Sequence, residues 1–258
     1  MSEPGSEYEE AYFIGQEIIW GKGYMSPGGD DEVAAIIDGV DVQDKIILEI
    51  GSGLGGPAIA LTEHHKARLV VGIDIQREQI DWATKLAENR GVANLVKFQL
   101  VEPGPLPFED ASFDMVFSMG SILQIPDKRN LFIEARRVLR PGGIFVGNDR
   151  LRRWTGPLSD ELVEHEDISG LTYHWASPAD YNDLLSEAGF EDVAINERDA
   201  WMVDQLRNDL TALRSGAIHD EIVEMFGESA DSWFDTVKRL LVMAERGELI
   251  VAHFRASK

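Results

Sequence analysis

The sequence contains no cysteine and no long apolar run. Without a thiol in its 258 residues, the chain has no disulfide, no thiolate nucleophile and no cysteine-based metal site. No run of apolar residues approaches the roughly 18 that are needed to cross a bilayer. The stretch MSEPGSEYEE at the N-terminus lacks the basic and apolar regions of a secretion signal. We therefore expect no membrane partner and a cytoplasmic location.

Basic residues are also scarce, with 24 Lys and Arg against 46 Asp and Glu and a formal net charge of −22. A surface of that sign repels the phosphates of nucleic acids at long range, so we expect no nucleic-acid partner. A small molecule is the expected substrate, and the oligomeric state is left open. The acidity fits either a solvated, self-repelling surface or the steering of a cationic substrate.

The most informative motif lies in residues 46–74, IILEIGSGLGGPAIALTEHHKARLVVGID. An apolar, β-branched run reads as a buried strand and breaks into a glycine loop, after which apolar positions from Pro57 begin a helix. A second apolar strand, residues 69–73, ends in Asp74. Strand, glycine turn, helix, strand and acid form a nucleoside-binding βαβ half, in which the acid binds the ribose hydroxyls.

Glycine spacing alone does not decide between a dinucleotide and S-adenosylmethionine as the cofactor, because Gly51, Gly53 and Gly56 also satisfy the dinucleotide pattern. Two features favour S-adenosylmethionine. Glu49 lies inside the end of the first strand, where an acid can orient the loop and an ammonium group. Further along, FDMVFS (residues 113–118) and LRPGG (residues 139–143) follow at intervals expected for a fourth strand and the turn before a fifth.

Together, EIGSGLGG, GIDI, FDMVFS and LRPGG resemble the class I S-adenosylmethionine-dependent methyltransferases in order and spacing. The resemblance implies an α/β, Rossmann-like, doubly wound seven-stranded sheet whose last strand is antiparallel. It also implies S-adenosylmethionine as cofactor and S-adenosylhomocysteine as product. We expect one methyltransferase domain over residues 1–258, with an N-terminal lid (1–30), a cofactor-binding core (44–150) and substrate-cap segments (151–180 and 200–245). The second cap segment is a helical insertion before the last strand.

Within that class, GKGYMSPGG, the glycine loop, and a C-terminal region with Trp233 and the ending FRASK resemble the phosphoethanolamine N-methyltransferases and related small-amine enzymes. The motifs and this resemblance assign residues to the methionine, ribose and adenine parts of the cofactor. The predicted cofactor-binding residues are Tyr24, Met25, Ser26, Glu49, Gly51, Gly53, Asp74, Ile75, Glu102, Pro103 and Ser118.

The residues expected to bind the methyl acceptor differ from those of that group of enzymes. Tyr8 falls where the group has a tyrosine near the nitrogen, but Gln124 stands where it has a catalytic histidine, and Leu171 stands in its phosphate clamp. The predicted catalytic residues are Tyr8 and Gln124, and the predicted substrate-binding residues are Met119, Arg150, Tyr173 and His174. Arg150, Arg152 and Arg153 either anchor a substrate anion or balance the acids of the next helix.

We therefore expect methyl transfer from S-adenosylmethionine to a small polar acceptor, with an amine nitrogen as the first choice. The alternatives are S- or O-methylation of a small carboxylic acid or natural product anchored by arginines, a cofactor-binding protein that has lost its chemistry, and a dehydrogenase. No acids and histidines are spaced as a metal-ligand set, so no metal is expected.

Overall fold

The computed structural model describes residues 10–154, 156–169 and 171–258, so Tyr8 lies outside the described residues. Its strands are β1 (Ile46–Ile50), β2 (Leu69–Asp74), β3 (Val96–Leu100), β4 (Phe113–Met119), β5 (Leu139–Arg152), β6 (Glu191–Glu197) and β7 (Leu249–Ser257). Its helices are α1 (Glu10–Trp20), α2 (Gly29–Ile36), α3 (Gly56–Glu63), α4 (Arg77–Asn89), α5 (Lys128–Val138), α6 (Asp160–Ser169), α7 (Pro178–Glu187), α8 (Asp199–Arg214), α9 (Ala217–Phe226) and α10 (Ala230–Glu245).

The strands form one seven-stranded sheet in the order β3-β2-β1-β4-β5-β7-β6. β1 to β5 pair in parallel, and β7 runs antiparallel between β5 and β6. This arrangement confirms the predicted fold. The strand order reverses between β1 and β4, and ligands of open α/β sheets bind in the crevice at the carboxyl ends of the strands at such a point.

Helices cover both faces of the sheet because its central strands are apolar on both sides. On one face, α5 and α7 pack Phe132 and Tyr181 against Phe145 of β5. On the other face, Val33 of α2 and Leu61 of α3 cover the opposite side of β1 and β4. Burial on both faces explains why these strands read as continuous apolar runs instead of alternating patterns.

A third apolar cluster is formed mostly by helices and includes Leu249 and Val251 of β7. It joins Ile19 of α1 to α8 and α10 through residues such as Leu206, Leu213 and Leu240. The helices inserted between β6 and β7 therefore share one core with the N-terminal helix. None of the helices in the described ranges is long and apolar enough to span a bilayer.

One predicted boundary was wrong. LRPGG was expected to be the turn before the fifth strand, but β5 spans Leu139–Arg152 and contains it. The stretch is a bulge in this strand, since Leu139 pairs with Phe113 while Ile144 pairs with Met115. At its other end, β5 pairs with β7 as far as Arg152. Helix α5 begins at Lys128, because the carboxylate of Asp127 caps it by accepting a hydrogen bond from Asn130 N.

Candidate functional site

One cavity of about 1150 Å³ opens at the carboxyl ends of β1, β2, β4 and β5. It extends from the glycine loop to helices α1, α8, α9 and α10. Most of the predicted site residues line it: Tyr24, Met25, Ser26, Gly51, Gly53, Asp74, Ile75, Glu102, Pro103, Met119, Gln124, Arg150 and Tyr173. The side chains of Glu49, Ser118 and His174 do not line it.

The glycine loop wraps tightly around the end of β1. Gly51 has a φ of 72° and Gly53 a φ of 50°, which are left-handed values that favour glycine. The amides of Gly51 and Ser52 both donate to the carbonyl of Ile73 at 2.9 Å. A Cβ on Gly51 would lie 2.2 Å from the Cβ of Ser121, so the loop packs against the turn after β4 with no room for a side chain.

Asp74 fixes the other side of the loop. Its Oδ2 accepts a hydrogen bond from Gly53 N at 3.0 Å, and its Oδ1 accepts one from Gln76 N at 3.1 Å. A carboxylate at this point is a hydrogen-bond acceptor of the kind that ribose hydroxyls require. Next to it, the side chain of Ile75 is 55% exposed and lines the cavity, which provides an apolar surface for a base. These residues fit a nucleoside cofactor.

Glu49 is fully buried behind the glycine loop, at the end of β1. Neither carboxylate oxygen accepts a hydrogen bond of good geometry from a described residue. Burial and then the charge of Asp74 raise the pKa of Glu49, and the backbone N–H of Ala58 opposes this shift. A buried, incompletely paired carboxylate is costly to the fold, so its position beside the loop points to a role in binding.

Ser118 lies behind the cavity wall because its hydroxyl bonds elsewhere. Its Oγ donates to the carbonyl of Ile50 at 3.0 Å, and Ser121 Oγ donates to the same carbonyl at 2.8 Å. The two hydroxyls lie 2.9 Å apart. Ser118 thus joins the ends of β1 and β4, and the turn at Ser121 is held in the same way.

The segment after α1 closes the cofactor side of the cavity. The carbonyl of Gly23 accepts a hydrogen bond from Gly56 N at 2.9 Å, so backbone meets backbone where the glycine loop enters α3. The carboxylate of Glu17 accepts from Gly23 N at 2.8 Å and from Trp82 Nε1 at 3.0 Å. These bonds place Tyr24 and the residues after it against the loop. Sequence reasoning missed Glu17, whose partners are distant and carry no motif.

At the acceptor end, β4 and β5 meet where Gly120 N donates to the carbonyl of Asn148 at 3.0 Å. Asp149 follows and lines the cavity with its side chain almost fully buried. Burial raises the pKa of Asp149 to about 6, although a hydrogen bond from the hydroxyl of Tyr181 and the charge of Lys128 oppose the shift. The carboxylate therefore adds a titratable group to this wall.

The three arginines at the end of β5 and directly after it have different roles. Arg152 donates to the carbonyls of Gly156 and Pro157, both at 2.9 Å. Arg153 pairs with Glu197 at 2.7 Å and also with Asp199. Arg150, in contrast, lines the cavity and forms no salt bridge with any described residue. Of the three, Arg150 is the one placed to meet a ligand anion.

The histidine at the site is His165 of α6. The side chain of His174 does not line the cavity, and its backbone is held by Leu123 O and by Lys128 Nζ at 2.8 and 2.7 Å. His165 is 4% exposed, lines the cavity and stacks on Tyr173 with 5.7 Å between ring centroids. Burial, with the charges of Arg150 and Arg239, lowers the pKa of His165 to about 4, so its ring is neutral at pH 7.

Known proteins similar to this chain include several methyltransferases. A family model described as "Methyltransferase domain" matches residues 48–147. The phosphoethanolamine N-methyltransferase of Triticum aestivum is 28% identical over 223 residues, which are 86% of this chain and 43% of that protein. The chain spans about half the length of the curated phosphoethanolamine N-methyltransferases it matches.

Two solved structures share its fold. Phosphoethanolamine N-methyltransferase 2 of Haemonchus contortus, in complex with S-adenosyl-L-methionine, has a TM-score of 0.89 and 23% identity, and the match covers 98% of this chain and 58% of that one. A putative sarcosine dimethylglycine methyltransferase of Galdieria sulphuraria has a TM-score of 0.75 and 21% identity, covering 89% and 84%.

Proposed function

We propose that the chain transfers a methyl group from S-adenosylmethionine to an amine nitrogen of a small molecule. Residues 48–147 match the methyltransferase domain model, and the sheet has the order of class I S-adenosylmethionine-dependent methyltransferases. One observation carries this proposal: a single cavity joins the glycine loop to the ends of β4 and β5. Pockets for one drug-sized ligand are on the order of 300–1,000 Å³. At about 1150 Å³ the cavity has room for a cofactor and an acceptor together.

The cofactor end uses the glycine loop, the Asp74 carboxylate and the apolar side chain of Ile75. In this assignment, the loop admits the methionine part, Asp74 accepts hydrogen bonds from the ribose, and Ile75 covers the adenine. Tyr24, Met25 and Ser26 close this end from the N-terminal segment. When bound, S-adenosylmethionine supplies a methyl group that is already an activated electrophile.

At the acceptor end the protein has to hold an amine with a free lone pair in line with that methyl group. Well-oriented reactants gain on the order of 7–11 kcal/mol from proximity. The amine would take the methyl group through its lone pair and become a methylammonium, whose extra proton goes to solvent afterwards, and S-adenosylhomocysteine would be the other product. Gln124 accepts a hydrogen bond from the amine but takes no proton. We assign the positioning of the nitrogen to Tyr8 and Gln124, and Met119 lines the cavity together with Gln124.

The similarity to phosphoethanolamine N-methyltransferases supports an amine as the acceptor. A second candidate is S- or O-methylation of a small carboxylic acid or natural product. The position of Arg150 favours it, because its guanidinium lines the cavity without a salt bridge to a described residue and can bind a carboxylate. Tyr173 lies beneath this guanidinium, with 5.9 Å from its ring centroid to Arg150 Cζ.

The test is calorimetric titration with S-adenosylmethionine, followed on the same sample by an S-adenosylhomocysteine release assay with amines, thioethers and carboxylic acids. We expect binding, release with amines, and loss of release in Tyr8→Phe with cofactor affinity retained. Arg129→Gln, at an exposed residue of α5, is the control. Release with thioethers or acids alone would support the second candidate. Cofactor binding without release on any compound would indicate a non-catalytic protein, and the absence of binding would refute the proposal.

A further inference from the structure

The acceptor end of the cavity is wider and more apolar than a small polar amine requires. Four helices, α1, α8, α9 and α10, close it from above the sheet. Their ring-bearing and neighbouring side chains form what we call the aromatic chamber. Its residues are Tyr12, Gln16, Trp201, Phe226, Trp233 and Leu240, all of which line the cavity.

The rings of the aromatic chamber are held in place by one another. Tyr12 stacks on Trp233 with 5.6 Å between ring centroids and 26° between planes, and Phe226 lies 5.3 Å from the same ring. A Cβ on Gly15 would lie 2.2 Å from Trp233 Cζ2, so the helix backbone itself presses on the indole. Trp233 is therefore a fixed wall, and such walls bind planar apolar groups with little loss of side-chain entropy.

The aromatic chamber is also uncharged. Among the described residues, none that α1, α8, α9 or α10 contributes to the cavity is Asp, Glu, Lys or Arg, although 27% of the whole chain is charged. Burying a phosphate or a carboxylate between these helices would cost far more than burying an apolar group.

One polar atom of the chamber has no partner. The side chain of Gln16 is 3% exposed and lines the cavity, and its Oε1 accepts no hydrogen bond from any described residue. A buried acceptor left unpaired destabilises the folded chain. A ligand with an N–H or O–H group at this point would satisfy it. Leu171 adds an apolar side chain to the wall near Tyr173.

We propose that the methyl acceptor is an amine that carries an uncharged aromatic group, and that this group occupies the aromatic chamber while the nitrogen faces Gln124. The proposal rests on the proposed function and narrows its substrate class to arylalkylamines. A donor group on the ring or its side chain pairs with Gln16. Phosphoethanolamine lacks the apolar part that this chamber is built to hold.

The test compares phenethylamine and tryptamine with ethanolamine and phosphoethanolamine in the S-adenosylhomocysteine release assay. We expect KM for the aryl amines to be lower by about ten-fold or more, equivalent to about 1.4 kcal/mol of binding. Thr236 lines the chamber on α10, so Thr236→Trp fills it and should raise KM for the aryl amines about ten-fold or more. The affinity for S-adenosylmethionine, measured by calorimetry, should not change.

Asp235→Trp is the matched control, because Asp235 precedes Thr236 on the same helix, is exposed and does not line the cavity. It should leave KM unchanged. If ethanolamine or phosphoethanolamine is the better substrate, and Thr236→Trp leaves its KM unaltered, the inference is refuted while the proposed amine methylation stands. If the chain binds the cofactor but methylates no amine, the proposed function fails and the inference fails with it.

Discussion

Replacing Gly51 by alanine separates two costs that a glycine loop avoids. Gly51 has a φ of 72°, and a Cβ there would lie 2.2 Å from Ser121 Cβ. Gly39 is a natural control, because its φ is 70° but a Cβ there would meet nothing within 4 Å. Gly39→Ala therefore reports backbone strain alone, whereas Gly51→Ala reports the same strain together with a clash.

The two costs have different sizes. A left-handed conformation costs a residue with a Cβ about 1–2 kcal/mol, which applies to both variants. Overpacking adds about 1–3 kcal/mol at Gly51 alone. Ser121 cannot move aside freely, because its hydroxyl holds the carbonyl of Ile50 at 2.8 Å. With about 2–4 °C of melting temperature per kcal/mol for a chain of this size, Gly51→Ala should melt several degrees below Gly39→Ala.

Differential scanning calorimetry of both variants and the parent chain measures the stability difference. Calorimetric titration with S-adenosylmethionine measures the difference in cofactor affinity, and only Gly51→Ala should bind the cofactor more weakly than the parent chain. Equal melting temperatures for the two variants would show that the loop and the turn at Ser121 are not packed as described. Unchanged cofactor affinity in Gly51→Ala would show that the glycine loop does not bind the cofactor.

Two further substitutions test the acids beside the loop. Asp74→Asn should weaken S-adenosylmethionine binding about 10- to 100-fold in calorimetric titration, since hydrogen bonds to charged groups contribute about 1.5–3 kcal/mol; unchanged affinity would exclude Asp74 as the ribose ligand. Burial raises the pKa of Glu49, so the folded chain binds a proton at this carboxylate more tightly than the unfolded chain does. This difference destabilises the fold at pH 7, and Glu49→Gln, which removes it, should raise the free energy of unfolding there by about 1–3 kcal/mol. This gain in unfolding free energy should shrink as the pH falls toward 4.5, the ordinary pKa of a glutamate. Denaturant titrations at several pH values measure it, with Glu78→Gln at an exposed position as the control. A gain that does not change with pH, or an equal gain in the control, would contradict the prediction.

The sequence predicted the parts of the site that are built from local geometry. The strand, glycine loop and helix around Gly51 follow one another within a few residues, and Asp74 closes the same βαβ unit. The spacing of such a unit is fixed by the length of its strands and helix, so residue types at set intervals are enough to identify it. The seven-stranded sheet with an antiparallel last strand followed from the resemblance to class I methyltransferases and is confirmed.

The parts that sequence reasoning left open depend on partners distant in the chain. Nothing in the sequence near Arg150, Arg152 and Arg153 distinguishes them. Arg153 pairs with Glu197 of β6 and Asp199 of α8, and Arg152 lies 3.8 Å from Glu248, so Arg150 is the one left facing the cavity. His165 lies in α6, where it stacks on Tyr173 and lines the cavity, whereas the side chain of His174 does not line it. The length of β5 is likewise set by β7, about a hundred residues later in the chain.

Helix α1 connects the two ends of the site, and its helical periodicity explains how. Residues four apart share a face of a helix, so Tyr12 and Gln16 both line the cavity while Phe13 and Glu17 both face α4, where they contact Trp82. Glu17 also fixes the turn at Gly23 that covers the glycine loop. One face of the helix therefore shapes the acceptor end and the other holds the cofactor end closed. Because a single rigid helix does both, a shift of α1 alters both ends of the cavity together.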